Sequence, residues 1–175
     1  ARIGPTLAGI AIDSEGSLYF TDDLKYIRKV YDDHGVRRIK TVVGYNMGTT
    51  PAIVGALATK VSLDKLRGIA IDRLDNLYIA DSLNHRILKV TTSGVLSVVP
   101  INNGTLKEPY ALAWHNGNLY IADAGNHQVR KLHPNGNIEL VAGTGTQGLL
   151  ADTDEGKPAT SVNLKYPHAL AVSRS

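Results

Sequence analysis

The chain has no cysteine. It therefore has no disulfide framework and no thiolate chemistry, and its redox compartment stays open. No apolar run approaches the ~18 residues of a membrane helix, so no helical span is expected. Residue 1 begins directly in repeat-like sequence, without the charged region and apolar stretch of a signal peptide. Such a leader is either not present or removed together with upstream sequence. No stretch sustains a 3.6-residue period, which argues against long helices. There is no Gly-x-Ser-x-Gly nucleophile elbow, and no Ser-His-Asp arrangement can be argued. Neither sign of charge dominates: 19 basic and 16 acidic residues are interspersed to a net +3. That pattern describes a solvated mixed surface better than a nucleic-acid footprint. What remains is 175 residues with 43% hydrophobic content, enough for a folded domain with a real core.

The organising feature is a repeat. Gly9-Ile-Ala-Ile-Asp13 returns as Gly68-Ile-Ala-Ile-Asp72 and Ala111-Leu-Ala-Trp-His115, and begins again at Ala169-Leu-Ala-Val-Ser173. The first three copies are followed by Ser17-Leu-Tyr-Phe-Thr-Asp22, Asn76-Leu-Tyr-Ile-Ala-Asp81 and Asn118-Leu-Tyr-Ile-Ala-Asp123. The Gly68-to-Ala111 unit, about 43 residues long, has the length of four short strands with turns. Strands are expected at 68–72, 76–80, 86–90 and 95–99, each rich in Val, Ile or Tyr and bounded by turn residues. Ser14-Glu-Gly16, Asp33-His-Gly35, Asn116-Gly117 and Asn135-Gly136 supply matching tight turns. The other two units are longer because each carries an insertion after strand four. These insertions resemble one another: Ala58-Thr-Lys-Val-Ser-Leu63 matches Ala159-Thr-Ser-Val-Asn-Leu164, and each is expected to hold one helical turn. Alternating strand direction places the two-to-three loops and inter-blade connections on one face.

Asn84-His85-Arg86-Ile87 and Asn126-His127-Gln128-Val129 each follow a Leu-Tyr-Ile-Ala-Asp strand. With Val141-Ala-Gly-Thr-Gly-Thr-Gln-Gly148 and Pro158-Ala-Thr-Ser-Val-Asn-Leu164, they make the chain resemble the NHL-repeat β-propeller family along its whole length. The first unit departs, with Lys25-Tyr26-Ile27 one residue shorter at the same place. Its Ile27-Arg-Lys-Val30 run is similar to repeats of the large extracellular propellers of teneurin-like adhesion proteins. The resemblance implies an all-β propeller fragment, with blade 1 at 7–65, blade 2 at 66–108, blade 3 at 109–166 and the first strand of a fourth at 167–175. Relatives close with about six blades, so three plus a strand imply part of a larger ring. A dimer of half-propellers would require that surplus strand to displace its equivalent.

Single motifs lose force inside this frame. Gly143-Thr-Gly145-Thr-Gln-Gly148 matches a dinucleotide fingerprint, but no βαβ unit surrounds it; loop glycines are the better reading. Asp152-Thr-Asp154 opens like a calcium loop, and the later EF-hand positions fail. Asp22, Asp81 and Asp123 recur at the end of strand two. They read as acceptors of turn N–H groups or partners of a base such as Arg86, rather than as a ring of cation ligands. His85 and His127 recur likewise, which indicates packing or hydrogen bonding. His115 breaks the pattern by replacing an aspartate, and one histidine falls short of the three ligands of catalytic zinc. Asn103-Gly-Thr105 is an N-glycosylation acceptor in a connection.

The favoured function is a non-enzymatic scaffold offering one face to a protein or glycan, with an extracellular or cell-surface setting preferred. Tyr26, His85, Arg86, His127, Lys60, Lys65, Arg67, Lys157 and Lys165 are the expected contacts, and the rest of the propeller or another copy is a further partner. No cofactor is called for. The first rival is an enzyme of the amidating-lyase or lactonase type, with zinc or calcium and His115, Asp152 and Asp154 as candidate ligands. The second is single-stranded RNA binding on the basic face, with Tyr26, Tyr45 and Tyr166 for stacking; Asp152, Asp154 and Glu155 dilute that charge.

Overall fold

The computed structural model describes residues 6–44, 55–148 and 155–173. Their sequence alternates over short stretches and folds into three antiparallel four-stranded sheets in strict chain order. Blade 1 comprises β1 (Ile10–Ile12), β2 (Leu18–Asp22), β3 (Tyr26–Asp33) and β4 (Val36–Val43). Blade 2 comprises β5 (Leu66–Ile71), β6 (Leu77–Asp81), β7 (Arg86–Val90) and β8 (Leu96–Val98). Blade 3 comprises β9 (Pro109–His115), β10 (Asn118–Asp123), β11 (Gln128–Leu132) and β12 (Ile138–Ala142). Asn116 and Gly117 both take positive φ, 46° and 80°, the geometry a two-residue turn needs to match the twist of its strands.

The insertions behave as one repeat element. Short 3₁₀ turns form at Ala58–Lys60 and Ala159–Ser161. In each, the N–H of the glycine that closes strand four, Gly44 or Gly143, donates to the carbonyl of Ala58 or Ala159 at 3.0 and 2.9 Å. A Cβ on Gly143, at φ 91°, would lie 2.3 Å from the His127 carbonyl oxygen. The Thr144 and Gly148 amides donate to the Val162 and Leu164 carbonyls. The fingerprint glycines and their amides thus serve the chain's own loop. Asp152, Asp154 and Tyr45 lie outside the described residues, as do parts of both insertions. Residues 167–173 are not strand; a strand one takes its hydrogen bonds from a strand two, and no described segment supplies one here.

Period-two alternation sends successive residues of blade 2 to opposite neighbours. Ile69, Leu77, Ile79, Leu88, Val90 and Leu96 pack with Ile27 and Val43 of blade 1 and with Ala58, Val61 and Leu63 of the insertion. Ala70, Tyr78, Ala80 and Ile87 pack with Leu112, Leu119, Ile121, Leu132 and Ile138 of blade 3. Each large aliphatic side chain so buried contributes about 1.5–3 kcal/mol. Blade 1 repeats the same pattern, and among the described residues nothing packs on its other face. Ile10 is 68% exposed, whereas Ile69 at the same repeat position is 3% exposed.

The first strands β1, β5 and β9 lie side by side where the blades converge. Their approach is close enough to exclude a side chain. A Cβ on Gly9 would meet the Arg67 carbonyl oxygen at 2.9 Å, and one on Gly68 would meet the Tyr110 carbonyl oxygen and Ala111 Cα at 2.7 Å. Thr21, fully buried, locks the first of these seams by donating its Oγ1 proton to the Arg67 carbonyl at 2.8 Å.

Gly68→Ala is expected to destabilise the chain by about 2 kcal/mol, because the obstructing atoms are backbone and a whole blade must shift. Ala111→Gly, which only removes a methyl, should cost less. Urea unfolding of both variants measures the order, and an unchanged midpoint for Gly68→Ala would refute the packing account.

Candidate functional site

Each blade ends strand two on a fully buried aspartate, and that carboxylate organises the loop that follows. Asp81 accepts from Asn84 Nδ2 at 2.9 Å and from Arg86 Nε at 2.7 Å. Asp123 accepts from Asn126 Nδ2 at 2.8 Å and the Lys107 N–H at 2.7 Å, with Arg130 Nη1 at 3.4 Å. In blade 1 the base is Arg28, 2.9 Å from Asp22. A buried carboxylate requires such partners, so the Asn of the Asn-His motif is a loop brace.

The His of the motif joins blades. His85 and His127 end the loops in left-handed conformations, φ 53° and 55°. Their Nδ1 atoms accept the backbone N–H of Glu108 at 3.0 Å and of Tyr166 at 3.3 Å. Glu108 and Tyr166 are themselves left-handed, φ 48° and 43°, directly before Pro109 and Pro167. A non-glycine residue held there, ahead of proline, costs about 1–3 kcal/mol and needs such a clasp. Blade 1 has no such histidine, and Leu66 follows where the others have proline. The Leu66 N–H then donates to the Leu24 carbonyl at 2.7 Å. The donor that proline lacks is supplied where the histidine is missing.

A β-bulge sits at the start of strand one, between Leu66 and Ile69 in β5, and the β9–β10 register shifts at the corresponding place. Bulges re-aim side chains, and here they turn Arg67 and Tyr110 into a row. Arg67 Nη1 donates to the Tyr110 hydroxyl at 3.1 Å, and its guanidinium lies 4.6 Å from that ring's centroid. His168, at the same repeat position, meets Tyr110 edge-on at 4.4 Å. Tyr166 continues the row, 6.4 Å from His168 and 4.6 Å from His127. Arg67 and Tyr110 are half-buried and His168 is exposed. This partly open cationic and aromatic surface lies on the loop face, where strand one begins.

The predicted residues divide accordingly. Arg67 is in the row, and Lys65 and Lys165 are exposed beside it. Arg86 is paired with Asp81, His127 is buried, and the exposed His85 has Nδ1 committed to the clasp. Tyr26 lies under the Arg28 guanidinium at 5.1 Å, and Lys60 and Lys157 are exposed. Asn103 holds the Ile138 N–H at 2.6 Å through Oδ1 and the Ile138 carbonyl at 3.2 Å through Nδ2, bracing β12. His115 closes β9 on the opposite, hairpin face, its Nε2 2.9 Å from Asn116 Nδ2. No group of three His, Asp or Glu suited to a metal ion occurs among the described residues. Tyr110 was missed. The available signal was that position two of strand one reads Arg67, Tyr110 and His168 while its neighbours repeat.

On the hairpin face, Lys29 reaches Asp13 at 2.8 Å, both largely buried. Burial opposes either charge, but their mutual bond outweighs it, holding the Asp13 carboxyl below its ordinary range and Lys29 above its own.

Three four-stranded antiparallel blades sharing an inner edge define a propeller-type fold. Solved structures of that type resemble the chain. A chain of the nidogen–laminin complex matches with a TM-score of 0.58 and 23% identity, over 78% of this chain and 48% of that one. A Bacteroides thetaiotaomicron protein of unknown function matches with a TM-score of 0.65 and 17% identity, over 93% and 41%. A gluconolactonase from Xanthomonas campestris matches with a TM-score of 0.59 and 14% identity, over 80% and 48%. The chain therefore spans less than half the length of each. No family model and no curated protein matches it.

His127→Ala should lower stability by about 1–2 kcal/mol, the loss of a buried acceptor and its Tyr166 contact. The exposed His85→Ala should cost less than about 1 kcal/mol. Thermal unfolding compares the two, and equal or reversed losses would contradict the clasp account.

Proposed function

We propose that the chain is part of an NHL-type propeller acting as a non-enzymatic scaffold, which presents its loop face to a protein or glycan partner in an extracellular or cell-surface setting. The observation that carries this reading is the row Arg67, Tyr110 and His168. The strand-two aspartates, which have a structural task, keep one residue type in all three blades. The row position changes in every copy while remaining accessible, as a recognition surface requires. Arg and Tyr are also the side chains most often found at the energetic centre of interfaces. The nidogen–laminin complex supplies a propeller-type neighbour solved with a protein partner.

The bare apolar face of blade 1 supports the larger ring, because Ile10 and Ile12 occupy positions that are core between blades. Further blades of the same propeller are the proposed cover.

The test is binding of the full chain to an array of extracellular-matrix glycoproteins and glycans, with the variants Arg67→Ala and Tyr110→Ala. At least one ligand should bind and lose about tenfold or more in affinity with each variant. Glu15→Ala on the hairpin face should leave it unchanged. Binding that survives both row substitutions would overturn the assignment of the site, and binding of single-stranded RNA in preference to the array would overturn the partner class.

A further inference from the structure

The seam between blades 2 and 3 opens on the hairpin face into a cleft of about 260 Å³. Val98, Val99, Leu119 and Leu132 form its apolar walls, and Tyr78, Trp114, Lys89 and His133 also line it. The Trp114 indole stacks on Tyr78 from across the seam, with centroids 5.1 Å apart and planes 20° apart. The Lys89 ammonium sits 5.3 Å from the same Tyr78 ring.

Two donors here are unanswered. Trp114 Nε1 is shielded from solvent with no hydrogen-bond partner, a state that costs free energy unless a ligand or water supplies an acceptor. Among the described residues, Lys89 has no carboxylate partner. Asp72, at the repeat position of the Asp13 that pairs Lys29, already accepts from the Leu74 and Asn76 amides, the Asn76 side chain and the Tyr78 hydroxyl.

The corresponding cleft between blades 1 and 2 provides an internal comparison. It is lined by Tyr19, Lys29, Lys40, Leu77 and Val90, which occupy the repeat positions of Tyr78, Lys89, Ser97, Leu119 and Leu132. There, Lys29 is neutralised by Asp13 at 2.8 Å, and Ile71 stands at the position of Trp114. In blade 3 the isoleucine of this position has become Trp114. The aromatic wall and the loose cation therefore occur together in the second cleft, where the first has an aliphatic side chain and a closed ion pair.

We infer that the cleft between blades 2 and 3 is a binding site for a small aromatic carboxylate, with its ring between the apolar walls beside Trp114 and its anion received by Lys89 and the indole N–H. An anion answers both donors, and a flat ring fits a narrow slot faced by Tyr78 and Trp114. This site lies opposite the loop face and stands or falls independently of the function proposed for that face.

Trp114 is the chain's one tryptophan, so its emission reports the cleft directly. Phenylacetate titrated into the full chain should produce a saturable change in that emission. Phenylacetamide, which has the same shape without charge, should bind at least about tenfold more weakly. Lys89→Met, which retains the stem, should abolish the preference for the acid, and Lys29→Met in the other cleft should preserve it. Trp114→Phe, followed by calorimetry, should weaken phenylacetate binding about tenfold; Lys89→Met remains decisive if that variant fails to fold. No saturable response to phenylacetate would overturn the inference, as would equal binding of acid and amide or an unchanged preference in Lys89→Met.

Discussion

The blades of this molecule are held at one spacing by backbone meeting backbone at the first strands. Gly68 lies so close to Tyr110 and Ala111 that even a methyl group at that position would collide with the main chain. A rigid contact of this kind fixes the relative position of two sheets more sharply than side-chain packing, which can yield by changing rotamer. Everything outward of it follows. The alternating residues of blade 2 reach the cores on either side, and the bulges in β5 and β9 carry Arg67 and Tyr110 onto the loop face. The clefts open at the hairpin ends of the seams.

Most of the recurrent polar residues maintain that arrangement. The strand-two aspartates brace their loops through Asn84, Asn126 and an arginine. The histidines carry the clasp onward to the next blade and hold a left-handed residue before proline in place. At the first junction the Asp64 carboxylate takes the N–H of the left-handed Lys65, and the Leu66 N–H reaches the Leu24 carbonyl. A buried carboxylate or an unmet amide costs more than a typical surface ion pair returns, and the strand-two aspartate stands in every blade. Positions free of that duty can vary, and the two candidate sites are built from such positions. Arg67, Tyr110 and His168 differ at one place on the loop face, while Trp114 replaces an isoleucine in the second cleft.

How much was legible beforehand follows the same division. Blade 2 was read nearly strand for strand, with β7 matching its expected 86–90, because short alternating runs between turn residues encode strands locally. The paired insertions and their single turns were legible for the same reason. The candidate sites were legible only in part. Arg67 was named for its charge and His115 for breaking the repeat. Tyr110 passed unnoticed because a tyrosine in a strand has no local signature of function. Arg86 and His127 were placed among the contacts, although the recurrent aspartates already read as partners of Arg86 and the recurrent histidines as packed or hydrogen-bonded; the structure pairs Arg86 with Asp81 and buries His127.

The sequence by itself determined the repeat, the strand order, the turn chemistry and the alternation that makes each blade apolar on its faces. These are consequences of nearest-neighbour sterics and period-two patterning along the chain. Tertiary structure alone decided which side chains from different blades meet. Arg67 reaches Tyr110, His85 reaches Glu108, and Trp114 settles on Tyr78 beside Lys89. These contacts depend on the spacing between sheets, which the close backbone approach at Gly9, Gly68 and Ala111 sets and no single repeat contains.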